Sequence, residues 1–230
     1  IASINVNQER VNVSNADLVP PQSWLLTVQA QQSLADWGSV TLSGFFEDIT
    51  DIVDQIPIEG GGQAPGNVDA AERWGASTNL TLLLDPMGWQ GLRVDLDAGY
   101  TRSKVIDPLT GAERPISDDD YLEFEATIRQ DFSGTQWAAG IEMFYDENRP
   151  SVRLDEISLN RPTRPFTRVF LENKDVWGMT LRGSVGNLYE RRIEFTRTIF
   201  DDRVAIEVAF SEARLREFGL LIRLDIEGSF

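Results

Sequence analysis

Apolar and polar residues alternate along most of this chain, most cleanly at its end. Phe218, Leu220, Ile222, Leu224, Ile226, Gly228 and Phe230 fall on one face, and Gly219, Leu221, Arg223, Asp225, Glu227 and Ser229 on the other. Successive side chains of a strand point to opposite faces, so this is a strand with one apolar and one charged side. The same period recurs upstream. Trp24, Leu26, Val28 and Ala30 alternate with Leu25, Thr27, Gln29 and Gln31, and Val40, Leu42, Gly44 and Phe46 with Thr41, Ser43, Phe45 and Glu47. Trp74, Ala76, Thr78, Leu80, Leu82 and Leu84 share a face, as do Leu92, Val94, Leu96, Ala98 and Tyr100. Leu122, Phe124, Ala126 and Ile128 follow, then Trp137, Ala139, Ile141, Met143 and Tyr145, then Met179, Leu181, Gly183 and Val185. A further strand is expected near 167–173, and two less regular ones near 193–199 and 204–210.

The connections alternate in length. Short turns carry Gly, Asp and Pro, as in Asp36-Trp37-Gly38, Asp85-Pro86-Met87-Gly88 and Asp131-Phe132-Ser133-Gly134. Long, charged or Gly-containing links are expected at roughly 51–71, 106–120, 146–165 and 187–211. Aromatic residues gather beside the short turns: Trp37, Trp89, Phe132, Trp137, Trp177 and Phe230. About nine to ten strands, each near the ten residues needed to span a bilayer at a tilt, predict an all-β, antiparallel, up-and-down transmembrane barrel or an arc of one. The aromatics then read as a girdle at headgroup level. The alternative is a soluble sheet protein with its aromatics packed in a core.

Composition changes this picture only at the margins. The mean hydropathy of -0.25 and the 41% hydrophobic content would not flag a membrane protein. A barrel exposes only every second residue to lipid, so the average is uninformative. No run is long and apolar enough for a spanning helix. The net charge of -16 disfavours nucleic acid as a partner. Cys and His are both absent, which excludes disulfides, histidine-based catalytic pairs and zinc ligation by either residue. No signal peptide opens the chain.

Candidate chemistry is sparse. Asp95, Asp97, Glu123, Glu125, Arg93, Arg129, Arg182 and Arg223 fall on the polar face, where a wet lumen accounts for them without catalysis. Asp118-Asp119-Asp120 lacks the spacing of a calcium loop and reads as solvated loop. Gly60-Gly61-Gly62 reads as loop flexibility. No enzyme activity, cofactor or metal is expected.

Three segments resemble TonB-dependent outer-membrane receptors. Asn15-Ala16-Asp17-Leu18-Val19-Pro20-Pro21-Gln22-Ser23-Trp24 is similar to the family's Asn-Pro-x-Leu-x-Pro-Glu lead into a barrel strand, with Ala16 in place of Pro and Pro21-Gln22 in place of the Glu-centred pair. Val185-Gly186-Asn187-Leu188-Tyr189-Glu190-Arg191-Arg192 resembles its Gly-Asn-Leu-x-Asp segment, with Glu190 for Asp. The closing strand resembles the signal read by the barrel-assembly machinery, carried by Leu220, Ile222, Leu224, Ile226 and Phe230.

The resemblance implies that residues 1–230 are the carboxy-terminal portion of a 22-stranded receptor barrel in the outer membrane, with plug domain and signal peptide outside this chain. The implied function is energy-coupled uptake of a scarce ligand, such as a siderophore-iron complex or a saccharide. Implied partners are outer-membrane lipid, the assembly machinery, TonB acting through the plug, and the small-molecule ligand. A self-contained ten-stranded channel or adhesin, or a soluble β-sandwich binding carbohydrate, are the alternatives.

Overall fold

The structure is a computed structural model that describes residues 4–7, 10–13, 15–59 and 62–228. Strands hold 71% of the residues and helical turns 3%, so the chain is all-β. It opens with β1 (Ile4–Asn7) and β2 (Arg10–Val13), followed by β3 (Gln22–Ser33), β4 (Gly38–Pro57), β5 (Gln63–Leu83), β6 (Leu92–Ile106), β7 (Glu113–Arg114), β8 (Asp120–Asp131) and β9 (Trp137–Asn148). Then come β10 (Ser151–Val152), β11 (Glu156–Pro162), β12 (Phe166–Val176), β13 (Met179–Gly186), β14 (Arg192–Asp202), β15 (Glu207–Glu217) and β16 (Leu221–Glu227).

The main sheet is an antiparallel meander. Its path runs β3-β4-β5-β6-β8-β9-β12-β13-β16, which is nine strands in sequence order. Among the described residues β3 pairs only with β4, and β16 only with β13, so the sheet is open at both edges. The tight connections at 34–37, 84–91, 132–136 and 177–178 all lie at one end, called here the lower end. Single 3-10 turns at Ala35–Trp37 and Asp85–Met87 close the first two.

The upper end departs from the sequence expectation. The link expected at 51–71 is regular hairpin: β4 and β5 continue past the rest of the sheet with paired residues up to Pro57↔Gln63. Ile58 N–H closes it by donating to the Gly62 carbonyl at 3.2 Å. Polar side chains here misled the sequence reading, because ladder bonds belong to the backbone and do not require an apolar face. Gly60 and Gly61 lie outside the described residues.

The link expected at 146–165 also contains strands, β10 and β11, while the two strands expected near 193–199 and 204–210 are present as β14 and β15. β10, β11, β14 and β15 form a separate four-stranded sheet in that order. β11 runs on toward β12, β13 toward β14, and β15 toward β16, so this sheet is an upper tier continuing the last hairpins. Its outer strand begins at Glu207 rather than Val204 because Asp202 Oδ1 accepts the N–H groups of Val204 and Ala205, at 2.7 and 3.1 Å, and holds a turn there. Likewise β16 begins at Leu221 and not at Phe218.

The joint between the tiers is Asn187. It sits in the left-handed region at φ 63 and is 2% exposed. Its amide donates to the Phe218 and Gly219 carbonyls at 2.6 and 3.2 Å, and its Oδ1 accepts the Arg191 N–H at 2.7 Å. One side chain therefore satisfies the backbone at the breaks in both strands. The bend expected after Gly186 is where the structure has it.

Very little of the chain is a conventional core. Among the described residues the one cluster of buried apolar side chains, Ile49, Ala71 and Val105, packs with Ile52, Val68 and Ile116 near the upper end. The surface is 14856 Å², against roughly 10,500 Å² expected for a compact monomer of 25.8 kDa. That excess is the area of an extended sheet with two open faces.

Elsewhere the packing is tight. A Cβ at Gly140 would meet the Ile128 carbonyl oxygen and the Phe170 ring, both at 2.5 Å. We expect Gly140→Val to cost about 1–3 kcal/mol by overpacking. A shift of the denaturant midpoint measures it, and an unchanged midpoint would show that Phe170 yields freely.

Candidate functional site

Ladder partners share a face, so the registers assign every side chain of the main sheet to one side or the other. One rung reads Ala30, Leu42, Thr78, Ala98, Phe124 and Tyr145 across β3 to β9. Another reads Leu82, Val94, Ile128, Ile141, Val169, Val185 and Ile222 across β5 to β16. Across all nine strands this face carries no Asp, Glu, Lys or Arg between its two margins. No element of the described chain covers it: Leu26, Val28, Leu42, Leu171 and Leu224 are all exposed large apolar residues.

Both margins are marked by aromatics. At the lower end Trp37, Trp89, Phe132, Trp137 and Trp177 all lie at or beside the tight turns and are exposed, Trp177 by 90%. Phe230 lies outside the described residues. At the upper margin stand Trp24, Phe46, Trp74 and Tyr100. Just above them the same face becomes charged, with Asp48, Glu72, Arg102 and Lys104. Lys104 pairs with Glu72 at 3.0 Å.

The opposite face holds the charges. Arg93 contacts Asp95 at 2.7 Å, and Thr81 donates to the same carboxylate at 2.7 Å. Arg129 meets Glu172 at 2.6 Å, and Arg168 and Arg182 both bond Glu142. Arg223 meets Asp225 at 2.6 Å. The predicted polar residues thus share one face but form separate clusters. Glu142, Arg168 and Glu172, which complete the largest cluster, were not singled out from sequence although their alternate positions in β9 and β12 mark them. Glu123 and Glu125 instead border an open concavity of about 410 Å³ with Asp97 and Asp146.

Aromatic rings also occur on this charged face, where alternation alone would not place them. Arg182 lies 3.7 Å from the Phe170 ring centroid, with Arg129 at 5.7 Å. Arg191 covers Phe144 at 4.9 Å, and Phe144 packs on Phe166 at 5.0 Å. Guanidinium groups stack on ring faces and remain hydrogen-bonded at their edges, so Phe170 is buried without a second layer, while Phe144 stays 43% exposed.

The deepest polar site braces the upper end. The Asp107 side chain is 1% exposed and receives Arg203 through both oxygens, at 2.9 and 2.8 Å, and Arg114 at 2.7 Å. The Leu109 and Thr110 N–H groups also donate to it, at 3.0 and 2.9 Å. Arg114 continues to Asp54 at 2.6 Å, and Arg203 to the Leu154 carbonyl at 3.0 Å. Four connections at the upper end are thereby tied to one carboxylate. Burial opposes its charge, but the bonds from Arg203, the Thr110 N–H and Arg114 outweigh burial and hold its pKa well below the usual carboxylate range.

Comparison with protein-family models, curated proteins and solved structures found no match. Any reading of function therefore rests on the residues and the geometry.

The structure places the sequence-derived candidates as follows. Leu220 precedes β16, and Ile222, Leu224 and Ile226 stand on its apolar side, exposed by 84%, 66% and 62%. Asp118, Asp119 and Asp120 do not act as one solvated run. Asp118 accepts Ser151 Oγ at 2.9 Å, and Asp120 is bonded by Asn148 at 3.3 Å. Asp119 is buried against Arg73 at 3.1 Å, which corrects the solvated reading for that residue. The reason is Arg73, which reaches up from β5 and needs a second acceptor beside Glu47.

Two outcomes follow for the brace. Asp107→Asn leaves two buried guanidinium groups short of a charge and should cost about 3–5 kcal/mol, read as faster amide exchange in β14 and β15. A depressed carboxylate pKa contributes stability above its unfolded value and loses it only as pH falls through the folded one. Upper-tier protection should therefore persist through about pH 4, and its loss there would contradict the assignment.

Proposed function

We propose that this chain is a wall of an outer-membrane β-barrel, the carboxy-terminal part of a TonB-dependent uptake receptor. The observation that carries the membrane part is the segregation of charge: nine meandering strands keep every charged side chain between the margins on one face and leave the other bare and apolar. From Trp74 to Leu82 the bare face runs ~26 Å along the strand at about 3.3 Å per residue. At a barrel tilt of roughly 40° it stands ~20 Å, close to the ~25 Å apolar band of such barrels. Aromatics at both margins fit headgroup positions.

The open edges support an arc of a larger barrel over a closed ten-stranded one, since unpaired strand edges are untenable in hydrocarbon. The uptake assignment rests on the segments resembling that receptor family. Residues 15–21 run irregularly into β3, and Asn187 sits at the β13–β14 joint, as a strand-leading segment and a strand-end bend require. In this reading the charged face lines a wet interior, the long hairpins and the upper tier face outward to the ligand, and the protein binds its cargo without transforming it.

Position-specific substitution tests the reading. Val94→Arg and Leu224→Arg should each destabilise the reconstituted barrel by about 2–4 kcal/mol, while Asp95→Asn on the opposite face should cost much less. Equal tolerance on both faces in a bilayer unfolding titration would refute a lipid-facing wall. Removal of Phe230 should lower the yield of inserted protein in a cell-fractionation assay, and unchanged insertion would dismiss the terminal assembly signal.

A further inference from the structure

At the foot of the upper tier lies a cavity of about 260 Å³. Its walls come from three separate segments: the connection after β9 with the end of the 107–119 link, strand β11, and the β13–β14 joint. Arg149 and Arg191 enter it together with Asp118, Asp146, Ser158 and Asn160. Unlike the clusters of the charged face, its cations are incompletely paired.

Arg149 is the decisive group. Its guanidinium lies 3.7 Å from the Tyr121 ring centroid, which fixes its plane. Its Nε is buried with no hydrogen-bond partner among the described residues, and no carboxylate there pairs with it. Arg191 is 8% exposed; its Nη2 reaches Asp146 at 2.6 Å, and its Nε is likewise buried without a partner. Arg149 is half-buried as a whole, and a guanidinium with a buried, unbonded N–H and no carboxylate partner favours an anion that supplies one. Planar guanidinium groups match carboxylate and phosphate alike, through paired N–H···O bonds, so the choice between them falls to the other charges of the walls.

The same walls carry acceptors. Asp118 Oδ2 takes Ser151 Oγ at 2.9 Å, and Asp146 is mostly exposed beyond its bond to Arg191. The walls hold two carboxylates and two guanidinium groups, and among the described residues Arg191 pairs with Asp146 while Arg149 pairs with neither carboxylate. A compact multivalent anion such as phosphate would be repelled by Asp118 and Asp146. A ligand bearing one carboxylate and several hydroxyls would not be, because its hydroxyls can donate to both while Ser158 and Asn160 complete the set.

We propose that this cavity binds a small hydroxylated carboxylate, cyclic like a uronic acid or open-chain like a sugar acid. The proposal refines the uptake reading by naming a ligand class, yet the site can be tested in detergent without reference to lipid or to TonB.

The test is calorimetric titration of the full-length protein in micelles with D-glucuronate, D-gluconate, D-glucose and inorganic phosphate. One or both of the acids should bind at least about tenfold tighter than glucose or phosphate, the size of one charge-assisted contact. Whichever acid binds better distinguishes the ring from the open chain. Arg149→Gln should abolish that preference and leave the fold intact by circular dichroism, since Arg149 makes no ion pair among the described residues. Arg149→Lys should restore only part of it. Equal affinity for glucose and the acids, tighter binding of phosphate, or an unchanged preference in Arg149→Gln would overturn the proposal. Failure here with Val94→Arg still destabilising would leave the membrane wall standing, and the converse result would leave the cavity standing.

Discussion

Register is the constraint on which the rest of this structure depends. Side chains alternate with period two, so a slip of one residue in any ladder would carry a row of charges to the apolar face. The ladders from β3 to β16 avoid this without exception. Paired positions such as Leu82↔Val94, Ile128↔Ile141 and Leu181↔Ile226 are apolar on both strands. Tight turns fix the offset at the lower end, and the charged clusters penalise the alternatives. A misregistered β12 would separate Glu172 from Arg129 and carry Glu172 to the apolar face, where it has no partner.

The upper end obeys a different rule. There the strands leave the common sheet, and the chain substitutes fixed polar joints for a continuous ladder. Asn187 fastens the two strand breaks together, and Asp107 collects Arg114 and Arg203 from remote parts of the sequence. Such joints are specific because each leaves buried polar groups unsatisfied if any partner moves. The cavity beside them has a complete frame but an incomplete set of charges, which separates it from the brace in kind.

The parts legible in the sequence were those governed by local periodicity. The lower strands and the sides taken by Asp95, Arg129 and Arg223 follow from alternation, and the tight turns with their neighbouring aromatics from local Gly, Asp and Pro signals. Alternation could not show that β4 and β5 extend through polar sequence, because backbone pairing there does not depend on an apolar face. It could not reveal Asp107, whose partners Arg114 and Arg203 meet it only through tertiary geometry. Asp107 fell within the long link expected at 106–120, and nothing local distinguishes a loop aspartate from the hub of a network. Phe144 and Phe170 were hidden for a related reason, since the arginines that stack on them come from other segments of the chain.

The smallness of the buried cluster around Ile49 has a consequence for how this sequence can drift. In a packed interior each side chain answers to the shape of its neighbours, so volume is conserved. The apolar face here has no opposing layer within the described chain, so exchange among Leu, Ile, Val and Ala at positions such as Leu42 or Leu224 meets no jigsaw. Shape is policed instead at close approaches such as Gly75 and Gly140, where a single methyl group would collide with backbone and ring atoms. Related sequences would therefore keep their small residues and their charges in fixed places and vary freely in their hydrophobic ones, inverting the usual pattern in which the greasy core changes least.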